Sequence, residues 1–281
     1  MTSWKLGLTA TLLAAAAGAA PAPAVAGDVI RVNGSGSALD MLKPLVLAYA
    51  ASHRLERFQL DPPLGSSGAM KALLGGALDV AALSRAVLPQ EAAGGVRALA
   101  YGRTPLVIVT HREVARSSVD SAELERIYSG ATPTWPGGEP IRVVLRPMAE
   151  TKTAVLRGLS PGMARADDIA RARPWAIVAV TDPESNELVA RTPGAIGAAT
   201  LTSILVEGLP LRPLALDGVP GTVEALAQGR YRLATDITLV TSARSSPEAL
   251  AFVEFACSAE GRALARKSGV LTEAGGCGEL R

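Results

Sequence analysis

The chain has 281 residues, 48% of them hydrophobic and 19% charged, which suits one large domain or two small lobes and excludes intrinsic disorder. A formal net charge of +2 leaves no basic field for nucleic acid, and two His with two Cys rule out a zinc ribbon and most metal constellations. Aromatics are only 4%, whereas 28 Gly and 19 Pro indicate a turn-rich fold whose small residues let a ligand approach the backbone.

Residues 1–26 read as a secretory signal peptide. Lys5 supplies the positive start, Leu6 to Ala20 is apolar and small, and Ala24-Val25-Ala26 is a cleavage site that makes Gly27 the first mature residue. A transmembrane anchor fits less well, because Pro21 and Pro23 interrupt a short apolar run. No Cys lies near the cleavage site for lipid attachment, and no later run is long enough to span a bilayer. The expected product is periplasmic.

Strand and helix signals then alternate. Val29–Val32 is a short strand, Asn33 to Ser37 a loop, and Leu42, Leu45, Val46 and Tyr49 recur at helical spacing. Phe58–Leu60 is a second strand. Gly65-Ser66-Ser67-Gly68 reads as a second small polar loop before a helix over Met70–Leu78. Val80–Leu83 is a buried strand ending at Ser84-Arg85, and Thr104–Thr110 is the strongest strand signal. Such βαβα alternation predicts an α/β fold with a largely parallel sheet.

The middle continues in the same style. Ser121–Ser129 is a helix with Ser121 as N-cap, Ile141–Leu145 a strand ending at Arg146, and Thr151–Leu159 a helix. Ile177–Val180 is a strand, after which Thr181-Asp182-Pro183 caps a helix with Pro near its start. Short strands at Ala195–Gly197 and Leu211–Leu216 precede a helix near Thr222–Gln228. Ile237–Thr241 is the second strong strand, with helices from Pro247 to Lys267. Two strong strands bracketing a middle segment suggest one domain inserted into another. In an oxidising compartment Cys257 and Cys277 are expected to form a structural disulfide worth about 3 kcal/mol in the chain-entropy model. Two unpaired thiols or a redox role fit less well, for there is no C-x-x-C and no nearby His.

The candidate chemistry is anion binding. Gly34-Ser35-Gly36-Ser37, Gly65-Ser66-Ser67-Gly68 and Ala149 to Thr153 each follow a candidate strand and open a candidate helix. The first amides of a helix lack intrahelical partners, carry partial positive charge and bind oxyanions. Ser35, Ser37, Ser66, Ser67, Ser84, Thr151 and Thr153 would add hydroxyl donors, Gly36 close approach, and Arg85 and Arg146 bidentate charge-assisted bonds. Each loop alone is equally a plain N-cap. Their recurrence at strand ends, where open α/β sheets hold ligands, raises the binding reading. Enzymatic readings are poor. His53 and His111 are isolated, no G-x-S-x-G elbow or phosphate-binding P-loop occurs, and no carboxylate pair is nominated. No catalytic group, metal set or cofactor is expected.

At these residues the chain resembles the phosphate-binding proteins of bacterial phosphate ABC transporters. Val32 to Ser37 is similar to the family's first anion loop. Gly65 to Lys71 with Leu78 to Arg85 resembles its most specific signature. Leu124 to Tyr128 with Trp135, and Pro193 to Gly197, resemble further elements. The resemblance implies a two-lobed, venus-flytrap fold of the type II periplasmic-binding class. Lobe one would be 27–110 with 237–281 and lobe two 111–236. A monomer would hold phosphate or a related tetrahedral oxyanion between the lobes and present it to a membrane permease. Ser37, Ser67 and Arg146 match anion-contacting positions of the family.

The chain also departs from that family. After the matching Arg, phosphate binders usually carry a Gly-Ser-Gly-Thr cradle; here Pro147-Met148-Ala149-Glu150-Thr151-Lys152-Thr153 follows, with Glu150 where a donor is expected. The family's acidic residue for recognising protonated phosphate falls near Ser84-Arg85, where this chain has no carboxylate; Asp79 is nearby but is read as part of the strand's entry. Sulfate, molybdate, tungstate and loss of binding therefore stay open beside phosphate. So does a periplasmic sensor or interaction protein that reuses the fold.

Overall fold

The computed structural model describes residues 29–53 and 57–273; the expected signal peptide and Cys277, the expected partner of Cys257, lie outside the described residues. In chain order the first part runs β1 (Val29–Gly34), α1 (Gly36–Ser52), β2 (Arg57–Leu60), α2 (Gly65–Leu74), β3 (Val80–Leu83), α3 (Pro89–Ala92) and β4 (Val96–His111). The middle runs β5 (Ser118–Val119), α4 (Ser121–Ser129), β6 (Arg142–Leu145), α5 (Thr151–Arg157), α6 (Pro161–Arg171), β7 (Ile177–Val178), α7 (Asp182–Arg191), β8 (Ala195–Thr200), α8 (Leu201–Glu207), β9 (Leu211–Pro213), β10 (Ala215–Leu216) and α9 (Val223–Ala227). The chain continues through β11 (Ala234–Ser242), α10 (Pro247–Cys257), α11 (Ala259–Lys267) and β12 (Leu271–Thr272).

The main sheet has the order β2-β1-β3-β11-β4-β8-β6-β7. Its flanks are parallel, as the βαβ alternation predicts, but the centre is not. β11 runs antiparallel to both β3 and β4, and β4 runs antiparallel to β8 and β9. The sheet is therefore mixed rather than largely parallel, because the two long strands that join its halves cross in opposite directions. β4 is the common member. From Val96 to Pro105 it pairs with β11, and from Leu106 to Thr110 it pairs with β8.

The core divides at the same place. Ile30, Val32, Leu42, Tyr101 and Phe252 pack under α1 and α10, while Met70, Leu73, Leu83 and Val240 cover the opposite sheet face. Beyond the change of partner, Leu106 and Ile108 join Leu124, Tyr128 and Met163, whereas Val107 and Val109 join Val144 and Val189. Successive residues of β4 feed opposite faces, as strand geometry requires.

The local reading needs three adjustments. Asp120, not Ser121, caps α4 by accepting from the Glu123 amide. Gly65-Ser66-Ser67-Gly68 is not a loop but the first turn of α2, and Gly75-Gly76 ends that helix at Leu74, short of Leu78. Helices α3, α6 and α8 are additional; Ser160 caps α6 and Pro161 opens it, and Thr200 caps α8.

β1 lies close enough to β3 that a Cβ on Gly34 would stand 1.9 Å from the Ala82 carbonyl oxygen. Gly34→Ala should therefore destabilise the protein by about 1–3 kcal/mol, the range of overpacking substitutions, in urea denaturation. An unchanged midpoint would show that β1 can move away from β3 without loss.

Candidate functional site

The first half of the sheet contributes a helix N-terminus. Ser35 closes β1 onto β3 by donating its amide to the Ala82 carbonyl at 3.0 Å, and its Oγ caps α1 by accepting from the Ala38 amide at 3.3 Å. Buried Asn33 fixes the neighbouring loop. Its Oδ1 accepts from the amides of Gly34 and Leu64, and its Nδ2 donates to the carbonyls of Asp61 and Pro62. Loop 61–64 is thereby held beside the start of α1.

The second half contributes charge. β6 delivers Arg146, which is 7% exposed. Its Nη1 donates to the Ala179 carbonyl at 2.6 Å, and its own carbonyl accepts from Arg171 Nη1 at 2.7 Å. Lys152, on α5, is also buried. Asp182 begins α7 behind a capping box in which Thr181 Oγ1 accepts from the Glu184 amide and Glu184 accepts from the Thr181 amide.

These groups meet across the interface. Asp182 Oδ1 lies 2.8 Å from Lys152 Nζ and 3.1 Å from Arg146 Nη2. Asp182 Oδ2 accepts from the Ser37 amide, in the first turn of α1, at 3.1 Å. Gly36 makes this approach possible, because a Cβ there would stand 2.7 Å from the Asp182 Cβ. Burial works to raise the Asp182 pKa, but the charges of Lys152 and Arg146 and the Ser37 amide outweigh it and hold the carboxyl below its ordinary value. Glu150 Oε1 sits 3.4 Å from Arg146 Nη2, at the mouth of the site.

A cleft of about 240 Å³ opens here between Ser35, Gly36 and Leu64 on one side and Arg146, Glu150 and Asp182 on the other. Three buried atoms beside it, Ser37 Oγ, Arg146 Nε and Asp182 Oδ1, make no hydrogen bond among the described residues, and Asp182 Oδ1 is held by its ion pairs alone. Such groups cost folding free energy unless a ligand completes them.

The expected site residues divide. Ser35, Gly36, Ser37 and Arg146 converge at the cleft. Ser66 Oγ instead accepts from the Ser84 amide and tethers α2 to the end of β3. Arg85 is bound through both nitrogens to Glu91 and donates to Ser67 Oγ. Thr153 Oγ1 donates to the carbonyls of Arg146 and Pro147, and Thr151 opens α5 away from the cleft wall. Asp79 is gripped by Arg31 at 2.9 and 3.0 Å, at the β1–β3 junction. The central residue that the sequence reading missed is Asp182. Its one signal was its position directly after a Thr N-cap and before Pro183, which marks a helix start but not a ligand.

A family model described as the PBP superfamily domain matches residues 17–260. The chain belongs to the PBP superfamily. A Clostridium perfringens protein assigned to phosphate ABC transport and solved with bound phosphate superposes with a TM-score of 0.75 at 17% identity, covering 88% of this chain and 100% of its own. An ABC-type phosphate transport receptor from Vibrio cholerae gives 0.61 at 19% identity, covering 88% and 100%. The regulatory domain of CcmR from Synechocystis, solved with 2-PG, gives 0.53 at 11% identity, covering 81% and 94%. No curated protein matches the sequence. With these structures the PBP-superfamily chain shares the two-lobed fold of type II periplasmic binding proteins.

The Asp182 group sets an acid limit. Because the folded pKa is depressed, its stabilisation is complete above the unfolded Asp value of about 3.9 and is lost as pH falls through the lower folded value. Lys152→Met should cost about 3–5 kcal/mol in urea at pH 7, as for a broken buried ion pair, and should move acid unfolding to higher pH. An unchanged acid transition would show that Arg146 alone holds the carboxylate charged.

Proposed function

We propose that the protein is a periplasmic solute-binding protein that captures phosphate or a related tetrahedral oxyanion between its lobes for ABC-transporter uptake. One observation carries the reading: buried Arg146, with Lys152 behind it, faces the N-terminus of α1 across the cleft, and an anionic group, the Asp182 carboxylate, is held between them. The α1 amides and the Arg146 guanidinium are donors without competing acceptor character, which suits an anion that offers only acceptors. Ser37 Oγ and Arg146 Nε supply two further donors. The phosphate-binding solved structures named above support the choice of ligand class.

In this reading the expected lobe boundaries, after 110 and before 237, shift to the partner change in β4, so that among the described residues lobe one comprises 29–105 with 234–273 and lobe two 106–233. The lobes move about the partner change within β4 and the start of β11. The receptor acts as a monomer, and closure joins the α1 amides to Arg146 around one anion. Among the described residues no helix is long and apolar enough to cross a membrane. A sensor or interaction role is the second reading. It is favoured by one feature, the balance of Arg146 and Lys152 against Asp182 and Glu150, which leaves the cleft without net charge.

Calorimetric titration with phosphate, sulfate, molybdate and tungstate tests the proposal. The refolded, anion-free protein should bind one oxyanion per chain. Arg146→Ala should weaken it by about 2–5 kcal/mol, tens- to thousands-fold, as for loss of one partner of a buried charged pair. Equal affinity would remove Arg146 from the site. Absence of binding for all four anions would leave the sensor or interaction role as the reading.

A further inference from the structure

We propose that Asp182 is a built-in counter-anion: its carboxylate bridges the lobes in the ligand-free protein, and an external oxyanion gains the cleft by expelling it. The carboxylate uses the same donors that an oxyanion would use. One oxygen takes the Ser37 amide of lobe one, and the other takes Lys152 and Arg146 of lobe two. The bridge spans 145 positions of sequence, so it reports tertiary approach and not local capping. Gly36 provides the space, for an added Cβ would stand 2.9 Å from Asp182 Oδ2. The bridge is also incomplete, since Ser37 Oγ and Arg146 Nε make no hydrogen bond among the described residues. A carboxylate has two oxygens; a tetrahedral oxyanion has four and can complete those donors. The competing ligand therefore has a physical advantage over the resident group.

The displacement half of this inference rests on the anion-binding reading, whereas the bridging half does not. Displacement lowers apparent affinity by the fraction of molecules whose cleft is free. Asp182→Asn keeps the side-chain shape and removes the charge. It should bind inorganic phosphate at least about tenfold more tightly than the parent, as expected if about nine in ten or more parent molecules hold the bridge. In small-angle X-ray scattering without phosphate, the variant should show a larger radius of gyration than the parent, and phosphate should return both to the same compact size.

Gly36→Ala is the second variant. It obstructs the bridge from lobe one and leaves the Asp182–Arg146–Lys152 group whole, so it separates bridging from any loss of stability in lobe two. It should expand the ligand-free protein as Asp182→Asn does. Equal or weaker phosphate binding by Asp182→Asn overturns displacement and leaves Asp182 as a positioning residue for Arg146 and Lys152. If neither parent nor variant binds any oxyanion, the anion-binding reading fails and scattering alone decides the bridge. Expansion in both variants then upholds it, and unchanged dimensions overturn it.

Discussion

Asp182 is a buried charge, only 5% exposed, whose partners come from both halves of the molecule. Burying an ion is costly, and attraction in a low-dielectric interior offsets that cost only when geometry is tight and the remaining hydrogen-bonding capacity is met. Lys152 and Arg146 meet the first requirement from lobe two. The Ser37 amide helps meet the second from lobe one. Two helix N-termini also converge on this carboxylate, α7 to which it belongs and α1 which it faces, and both favour negative charge. The positions of α1, α5, β6 and α7 are thus linked through one group of atoms, and none can move far without exposing or orphaning a charge.

The rest of the interface is consistent with that link. α1 meets lobe two at a second point one turn further on, where Asp40 accepts from Ser203 Oγ at 2.6 Å and Lys43 reaches Glu207 on α8. At the crossing itself, Thr202 Oγ1 on α8 donates to Thr104 Oγ1 on β4 at 2.9 Å. α1 therefore contacts α7 and α8 along one side, from Ser37 to Lys43. The covalent connections are strand backbone within β4 and β11, already hydrogen-bonded into the sheet.

Much of this was legible in the sequence wherever a local pattern carries the information. Strand-to-helix junctions at Gly34-Ser35-Gly36 and at Arg146 could be read because an apolar run stops and a polar turn begins. The long β4 was legible only over its apolar second part; from Val96 to Arg103 exposed and buried positions do not alternate regularly and Gly102 interrupts the run, so it gives a weak strand signal. Gly65-Ser66-Ser67-Gly68 looked like a loop because its residues are poor helix formers, yet Ser66 bonds to Ser84 and α2 packs on β3 firmly enough to override propensity. The pairing of Arg85 with Glu91 is a property of the turn between them, and the bridge from Asp182 to Ser37 is a property of the closed tertiary fold. Neither distance is written in spacing. A helix-start motif such as Thr181-Asp182-Pro183 has the same local appearance whether its acidic residue faces water or another lobe.

Charge arithmetic constrains what the cleft can hold. Arg146 and Lys152 are matched by Asp182 and Glu150, so the arrangement is already neutral. At an effective dielectric of about 20, two like charges about 4 Å apart repel by about 4 kcal/mol, and a dianion beside a fixed Asp182 would double that. At the same distance and dielectric the two cations would attract a dianion by about 16 kcal/mol, so the seated carboxylate cancels about half of what they offer. Displacing the carboxylate, or entering with fewer charges, reduces that cost. Glu150, at the mouth and partly in solvent, imposes a weaker version of the same demand because water screens it. The selectivity of the cleft is accordingly set less by how many donors face it than by where Asp182 goes when a ligand arrives.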